Sequence, residues 1–157
     1  ANIPVVNAAN TFTSTQTFSG TSSVLATVIQ DAAETVNISS NVNNAYVVVD
    51  VTTAAVWYFT PAATGNWTLN IRGSSGTSLD AMMATGQSVT IALLCTQGGT
   101  AYYSTALQID GNSVTPKWQG GTAPTAGNAS SIDVYMYTII KTGSAAFTVL
   151  ASITKFA

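Results

Sequence analysis

Short runs of β-branched and aromatic residues, separated by glycine, asparagine, serine and proline, constrain the fold of this chain most. In Trp67–Arg72 the apolar side chains of Trp67, Leu69 and Ile71 alternate with polar ones. Residues 87–96 alternate in the same way. Because successive side chains of a strand point to opposite faces, this alternation predicts strands with one buried face.

Similar runs recur along the chain from residue 24 onward. They cover residues 24–29, 36–39, 45–51, 56–60, 67–72, 87–96, 101–103, 106–110, 132–142 and 146–154. The nearly continuous apolar run at 45–51 predicts a strand that is covered on both faces. Asp110-Gly111 predicts a tight hairpin turn, and Ser78 is placed to cap a single helical turn over residues 79–84. About nine or ten short strands predict an all-β fold, an antiparallel β-sandwich or jelly-roll-like domain.

The first 23 residues differ from the remainder of the chain. They are rich in threonine, show no helical periodicity and carry two aromatic residues, Phe12 and Phe18. We interpret residues 1–23 as an extended N-terminal arm with two anchors for a neighbouring subunit, and residues 24–157 as the β-sandwich domain. The alternative is an ordinary edge strand or a frayed terminus.

The chain carries very little charge. Four basic and six acidic residues occur among 157, histidine is absent, and 46% of the residues are hydrophobic. Average domains are about one quarter charged, and this charge keeps an independent monomer soluble. We therefore expect much of the surface to lie against other subunits, as in a structural or assembly protein that forms a homo-oligomer.

The same composition argues against several other functions. Without histidine, the commonest general base and metal ligand is missing, so we expect no enzyme, no catalytic residue, no metal site and no cofactor. Asp31 and Glu34 are the only closely spaced carboxylates, and a solvated turn explains them. The four basic residues are scattered, which argues against a nucleic-acid partner. The apolar runs are too short for a membrane span.

Aromatic residues offer one candidate binding chemistry. Trp57, Tyr102 and Tyr103 could stack on sugar rings, while Asn and Gln side chains bind hydroxyls. Neighbouring residues of a strand point to opposite faces, so at least one of Tyr102 and Tyr103 is expected in the core or in an interface. Core and subunit packing remains the alternative for all three.

A distinctive segment follows the predicted hairpin. Residues 113–125 read Ser-Val-Thr-Pro-Lys-Trp-Gln-Gly-Gly-Thr-Ala-Pro-Thr, and Asn-Ala-Ser-Ser-Ile-Asp-Val-Tyr begins at Asn128. With this segment, residues 24–157 resemble the C-terminal domain of tail-fibre-like virion structural proteins of tailed bacteriophages, especially marine ones such as cyanophages. Residues 10–20 also resemble the sequence at which such fibres begin.

The resemblance implies a β-rich, usually trimeric module on the external surface of the virion, with no cofactor and no catalysis. Its partners would be copies of itself, other virion proteins of the tail, and possible host surface glycans. The chain is short for a tail fibre and lacks an extended shaft. A capsid decoration (cement) protein, bound to the major capsid protein of the phage head, is therefore the alternative.

The Lys-Trp-Gln-Gly-Gly segment also has a physical interpretation. Pro116 and Pro124 restrict the loop, and Gly120-Gly121 allows backbone conformations with positive φ. Trp118 can then fill an apolar gap either in its own core or in a neighbouring subunit. Trp118 thus joins Phe12 and Phe18 as a candidate interface residue.

Overall fold

A computed structural model describes residues 33–157, and it confirms an all-β sandwich. The predicted arm at 1–23, with Phe12 and Phe18, and the predicted strand at 24–29 lie outside the described residues. The strands are β1 (Val36–Ser39), β2 (Ala45–Asp50), β3 (Val56–Phe59), β4 (Trp67–Arg72), β5 (Ser88–Thr96), β6 (Ser104–Ile109), β7 (Asn112–Val114), β8 (Lys117–Trp118), β9 (Ile132–Gly143) and β10 (Ala146–Phe156). One short helix, α1 (Leu79–Met82), precedes β5.

The strands form one sheet of six and one of four. The six-stranded sheet has the order β1-β3-β5-β9-β10-β8, and the four-stranded sheet has the order β2-β4-β6-β7. Both sheets are mixed rather than purely antiparallel, since β1, β3 and β5 run parallel, as do β2, β4 and β6. The cause is the chain path, because the first six strands alternate between the sheets. Each in-sheet neighbour is reached through a strand of the opposite sheet and therefore points the same way.

The core lies between the two sheets. The largest fully buried side chains include Trp67, Leu69 and Ile71 of β4, together with Tyr135 and Tyr137 of β9. The two tyrosine rings stack with centroids 6.2 Å apart, and the Trp67 ring meets Tyr135 edge-on at 6.0 Å. Such aromatic contacts add to the hydrophobic burial that holds the sheets together.

Several local predictions are confirmed. Asp110 and Gly111 have φ values of 52° and 79° and form the turn between β6 and β7. Ser78 caps α1, since its side chain accepts a hydrogen bond from the Ala81 amide. Gly120 and Gly121 have φ values of 75° and 79°, in the left-handed region that favours glycine.

Two strand predictions are wrong. Residues 101–103 form no strand, because the Tyr102 amide is bonded to the Gln97 side chain and the Tyr103 amide to that of Asn66. The strand β2 is not covered on both faces, since half of Tyr46 is exposed on the outer side. The strand β2 lies at the edge of the four-stranded sheet, and its outer face has no covering layer within residues 33–157.

Candidate interaction surface

The strand β9 carries its charged residues on the side that faces the core. Asp133 and Lys141, near its two ends, are buried on the same side as Tyr135 and Tyr137. The outward-facing residues are all uncharged: Ile132, Val134, Met136, Thr138, Ile140 and Thr142. A strand whose outer side meets water normally shows the opposite distribution. The outer side of β9 is therefore poorly suited to solvent.

The neighbouring strands continue this uncharged outer face. Register with β9 and alternation of burial place the following residues outward: Val56 and Tyr58 of β3, Thr90, Ala92 and Leu94 of β5, and Leu150, Ser152, Thr154 and Phe156 of β10. Thr90 and Thr138 pair their hydroxyl oxygens at 3.3 Å across the face. We call this side of the six-stranded sheet the outer apolar face.

Large hydrophobic side chains are exposed mainly on the outer apolar face. Its exposed members are Val36 and Ile38 of β1, Met136 of β9, and Leu150 and Phe156 of β10. Ile38 is 71% exposed, Phe156 58% and Leu150 46%. Three further exposed hydrophobics in the described residues lie elsewhere. Exposed hydrophobic side chains that share one face mark an interaction site more often than scattered single residues do.

Among the residues that the structure describes, charge occurs only at the two borders of the outer apolar face. Glu34 precedes β1 at one border, and Lys117 of β8 lies at the other. Within residues 33–157, neither side chain makes a salt bridge. Beside β8 the face is indented by a groove of about 400 Å³, whose floor includes Met136 and Leu150.

The buried Asp133 holds a loop to one end of the sandwich. Its carboxylate accepts hydrogen bonds from the Asn128 amide at 2.9 Å, from Asn128 Nδ2 at 2.7 Å and from Gln97 Nε2 at 3.1 Å. Gln97 also bonds the backbone of Tyr102 through both side-chain atoms. A Cβ on Gly127 would collide with the backbone carbonyl oxygen of Tyr102, so the close approach of the two segments requires glycine. Because Asn128 and Gln97 both donate hydrogen bonds to it, the Asp133 carboxylate has a structural role.

Lys141 is held at the opposite end of β9. Its Nζ lies 2.7 Å from Asp80 Oδ1 and donates a hydrogen bond of 2.9 Å to the Met83 carbonyl, just after α1. The Lys141 bond, followed by the bond from the Ala145 amide, lowers the pKa of Asp80. This cation therefore fixes α1 to the sheet and does not reach the outer apolar face.

The buried groups that could act as nucleophiles are protonated at neutral pH. Burial raises the pKa of the Cys95 thiol well above its ordinary value, and it does the same for the phenols of Tyr135 and Tyr137. Cys95 is fully buried, as expected from its apolar run. Among residues 33–157, no group of three His, Cys, Asp or Glu side chains is placed to hold a metal ion.

Trp118 packs within its own sandwich. Its ring meets Tyr135 at 6.4 Å and Tyr137 at 6.1 Å, both edge-on, and it is half-buried. The ring thus contacts its own core, and the role of Trp118 as an interface residue stays a prediction. Trp118 lies on the core side of β8, while its neighbour Lys117 lies on the groove side.

The three candidate sugar-stacking residues are not brought together in one open site. Trp57 donates its indole N–H to the Ala54 carbonyl at 3.0 Å and stacks on Phe59 of β3. Tyr102 is packed against the core, and Tyr103 follows it in the loop before β6. All three are half-buried, and their role in glycan binding stays a prediction.

Sequence reasoning missed the residues of the outer apolar face. Its signal was present in β9, where the charged residues Asp133 and Lys141 both have odd numbers, whereas the even-numbered positions are uncharged. Such alternation tells which side is charged, but it cannot tell which side faces the opposite sheet. Only the placement of Tyr135 and Tyr137 in the core resolves this.

Comparison with known proteins adds no relative. The chain matches no family model, no curated protein and no solved structure. In the described part of the chain, no helix has the length and apolar character needed to cross a membrane.

Proposed function

We propose that this chain is a structural subunit of the external surface of a bacteriophage virion, a trimeric module of the tail-fibre or adhesin type. The observation that carries the proposal is the outer apolar face, which is uncharged across its interior and carries exposed Ile38, Met136 and Leu150. Such a face suits contact with protein better than contact with water. The function requires assembly and no chemical step.

The size of the outer apolar face supports assembly. Six strands about 4.8 Å apart, three of about ten residues and three of two to four, give an area on the order of 700 Å². Stable interfaces bury about 800 Å² on each partner, and their centres are depleted in charge. Copies of one chain can cover such a face without bringing like charges together, because no charge lies in its interior.

The assignment to a phage virion comes from the sequence resemblance. Its most specific part, Lys117 to Pro124, forms β8, the Gly120-Gly121 turn and the adjoining loop. The first three residues of this segment, Lys117 to Gln119, line the groove at one border of the outer apolar face. The link between the resembling segment and the candidate interface supports a role in virion assembly.

Sedimentation equilibrium of the full chain tests the proposal. We expect a species with three times the mass of the 16.1-kDa chain, in reversible equilibrium with the monomer. A chain that stays monomeric at high concentration would contradict it. Quantification of the chain in purified virions then separates the attachment sites: a few tens of copies fit tail fibres, whereas hundreds fit the alternative, a decoration protein of the head.

Binding to host cells also distinguishes a tail-fibre module from a cement protein. A tail-fibre or adhesin module is expected to bind the surface of host cells as a purified trimer, and competing glycans should release it. A cement protein is expected to bind assembled heads and to leave host cells unbound. If the purified trimer binds neither, the assignment to the virion surface is wrong.

A further inference from the structure

The two borders of the outer apolar face are complementary in shape. At the β1 border, Val36 and Ile38 project from a four-residue edge strand, and Ile38 is the most exposed large hydrophobic residue described. At the β8 border, the face is indented by the groove of about 400 Å³. One border thus presents a projection and the other a recess.

The groove exists because β8 is short. The strand β8 pairs with only two residues of the eleven-residue β10, Leu150 and Ala151, and leaves the flanking part of β10 uncovered on that side. Met136 and Leu150 form an apolar floor, with the hydroxyls of Thr138 and Ser152 beside it. Apolar side chains that enter this groove would be removed from water on several sides.

The borders are also complementary in charge. Glu34 lies two residues before Val36, in the segment that leads into β1, whereas Val36 and Ile38 share the outer side of the strand. We call these three residues the β1 stripe. Lys117 stands opposite Leu150 in the register of β8 and β10, at the wall of the groove. The β1 stripe therefore carries one acidic and two apolar side chains, while the groove has a lysine at its wall and an apolar floor.

We propose that the β1 stripe of one copy of this chain docks in the β8 groove of the next copy, with Glu34 beside Lys117 and Ile38 over Met136 and Leu150. The occupant of the groove is thus a second copy of the same chain. This inference rests on the proposed function, for which it names the contact between subunits.

The position of the two borders determines the kind of assembly. They lie at opposite edges of one sheet, five strand spacings or about 24 Å apart, so a subunit cannot dock its own stripe in its own groove. A head-to-tail contact uses one stripe and one groove of each copy, and it closes into a ring when the rotation fits. Three copies give the trimer, with the outer apolar faces turned toward the ring axis.

Charge reversal of the full chain tests the docking. Glu34→Lys and Lys117→Glu each place like charges at the contact, so we expect each to raise the concentration needed for half assembly by about tenfold or more. The double variant restores an opposite pair and should return to within about threefold of the original chain. Lys155→Gln, which removes the charge of an exposed lysine at the end of β10, is the control and should change assembly by less than about threefold. Glutamate is avoided there because Lys155 stands opposite the buried Asp133.

The outcomes separate the docking from the proposed function. If the original chain assembles but the double variant is no better than the single variants, the pairing of these borders is wrong and assembly through another contact remains. If the original chain does not assemble at all, the proposed function fails together with the docking. Circular dichroism of each variant monitors folding, since all three positions are exposed and the sandwich should be unchanged.

Discussion

The outer faces of the two sheets differ in how they are suited to water. On the four-stranded sheet, Tyr46 donates its hydroxyl to Gln108 at 2.9 Å, and Arg72 and Asp50 form an ion pair at 2.6 Å. On the six-stranded sheet, the interior of the outer face has no charge, and the only hydrogen bond between side chains found there within residues 33–157 joins two threonines. Both faces belong to the same charge-poor chain, but the surface without charge lies mainly on the outer side of the six-stranded sheet.

This difference refines the inference from composition. Low charge in the whole chain indicates that some surface is covered, but it does not tell which surface. The structure places Asp133 and Lys141 on the core side of β9 and Asp50 and Arg72 on the outside of the four-stranded sheet. The uncharged remainder falls together on one face of about the area that a stable interface requires.

A lysine introduced on each face gives the largest expected contrast. Met136→Lys puts a charge in the centre of the outer apolar face, and we expect assembly to weaken by at least about a hundredfold because that charge would be buried. Ala106→Lys is the matched control, since Ala106 is an exposed apolar residue on the outside of the four-stranded sheet. Sedimentation velocity over a concentration series measures both.

The same two variants can also contradict the assignment of the interface to the outer apolar face. If Ala106→Lys dissociates the assembly and Met136→Lys does not, the functional face is the four-stranded one. Urea unfolding of the monomers provides the folding control, and substitutions at such surface positions are expected to change the free energy of unfolding by about 0.5 kcal/mol or less.

Replacement of Trp118 tests whether its contacts with the core hold β8 in place. Trp118→Ala deletes the edge-on contacts with Tyr135 and Tyr137, and we expect a loss of about 3 kcal/mol in the free energy of unfolding. Trp118→Phe keeps an aromatic ring and should lose about half as much. Denaturant unfolding measures both changes, and a loss below about 1 kcal/mol for the alanine variant would show that the indole contributes little to holding β8.

Local sequence signals predicted the elements better than their arrangement. Trp67–Arg72 alternates cleanly and forms β4 with the predicted bounds, and Asp110-Gly111 makes the expected turn, because both depend on neighbouring residues alone. The parallel pairings were not predicted, since they arise from the path of the chain between two sheets. The exposed side of β2 was missed for a related reason, as an apolar run does not reveal that its strand lies at an edge.

The candidate surface was predictable only in general terms. Composition indicated subunit contacts, and Trp118 drew attention to the segment that builds the groove border. The complementarity of Glu34 and Lys117 could not be found from the sequence, because Lys117 comes 83 positions after Glu34 and only the strand order places the two residues at opposite borders.

The smallest expected effect comes from the polar face. Tyr46→Phe removes the exposed hydrogen bond to Gln108 but keeps the ring, so we expect a change of about 0.5 kcal/mol or less in the free energy of unfolding and no change in assembly. Urea unfolding and sedimentation of this single variant suffice to measure it. Tyr46 is half exposed, and water can replace its partner at little cost. A loss of assembly on this substitution would mean that the polar face, too, lies against another subunit.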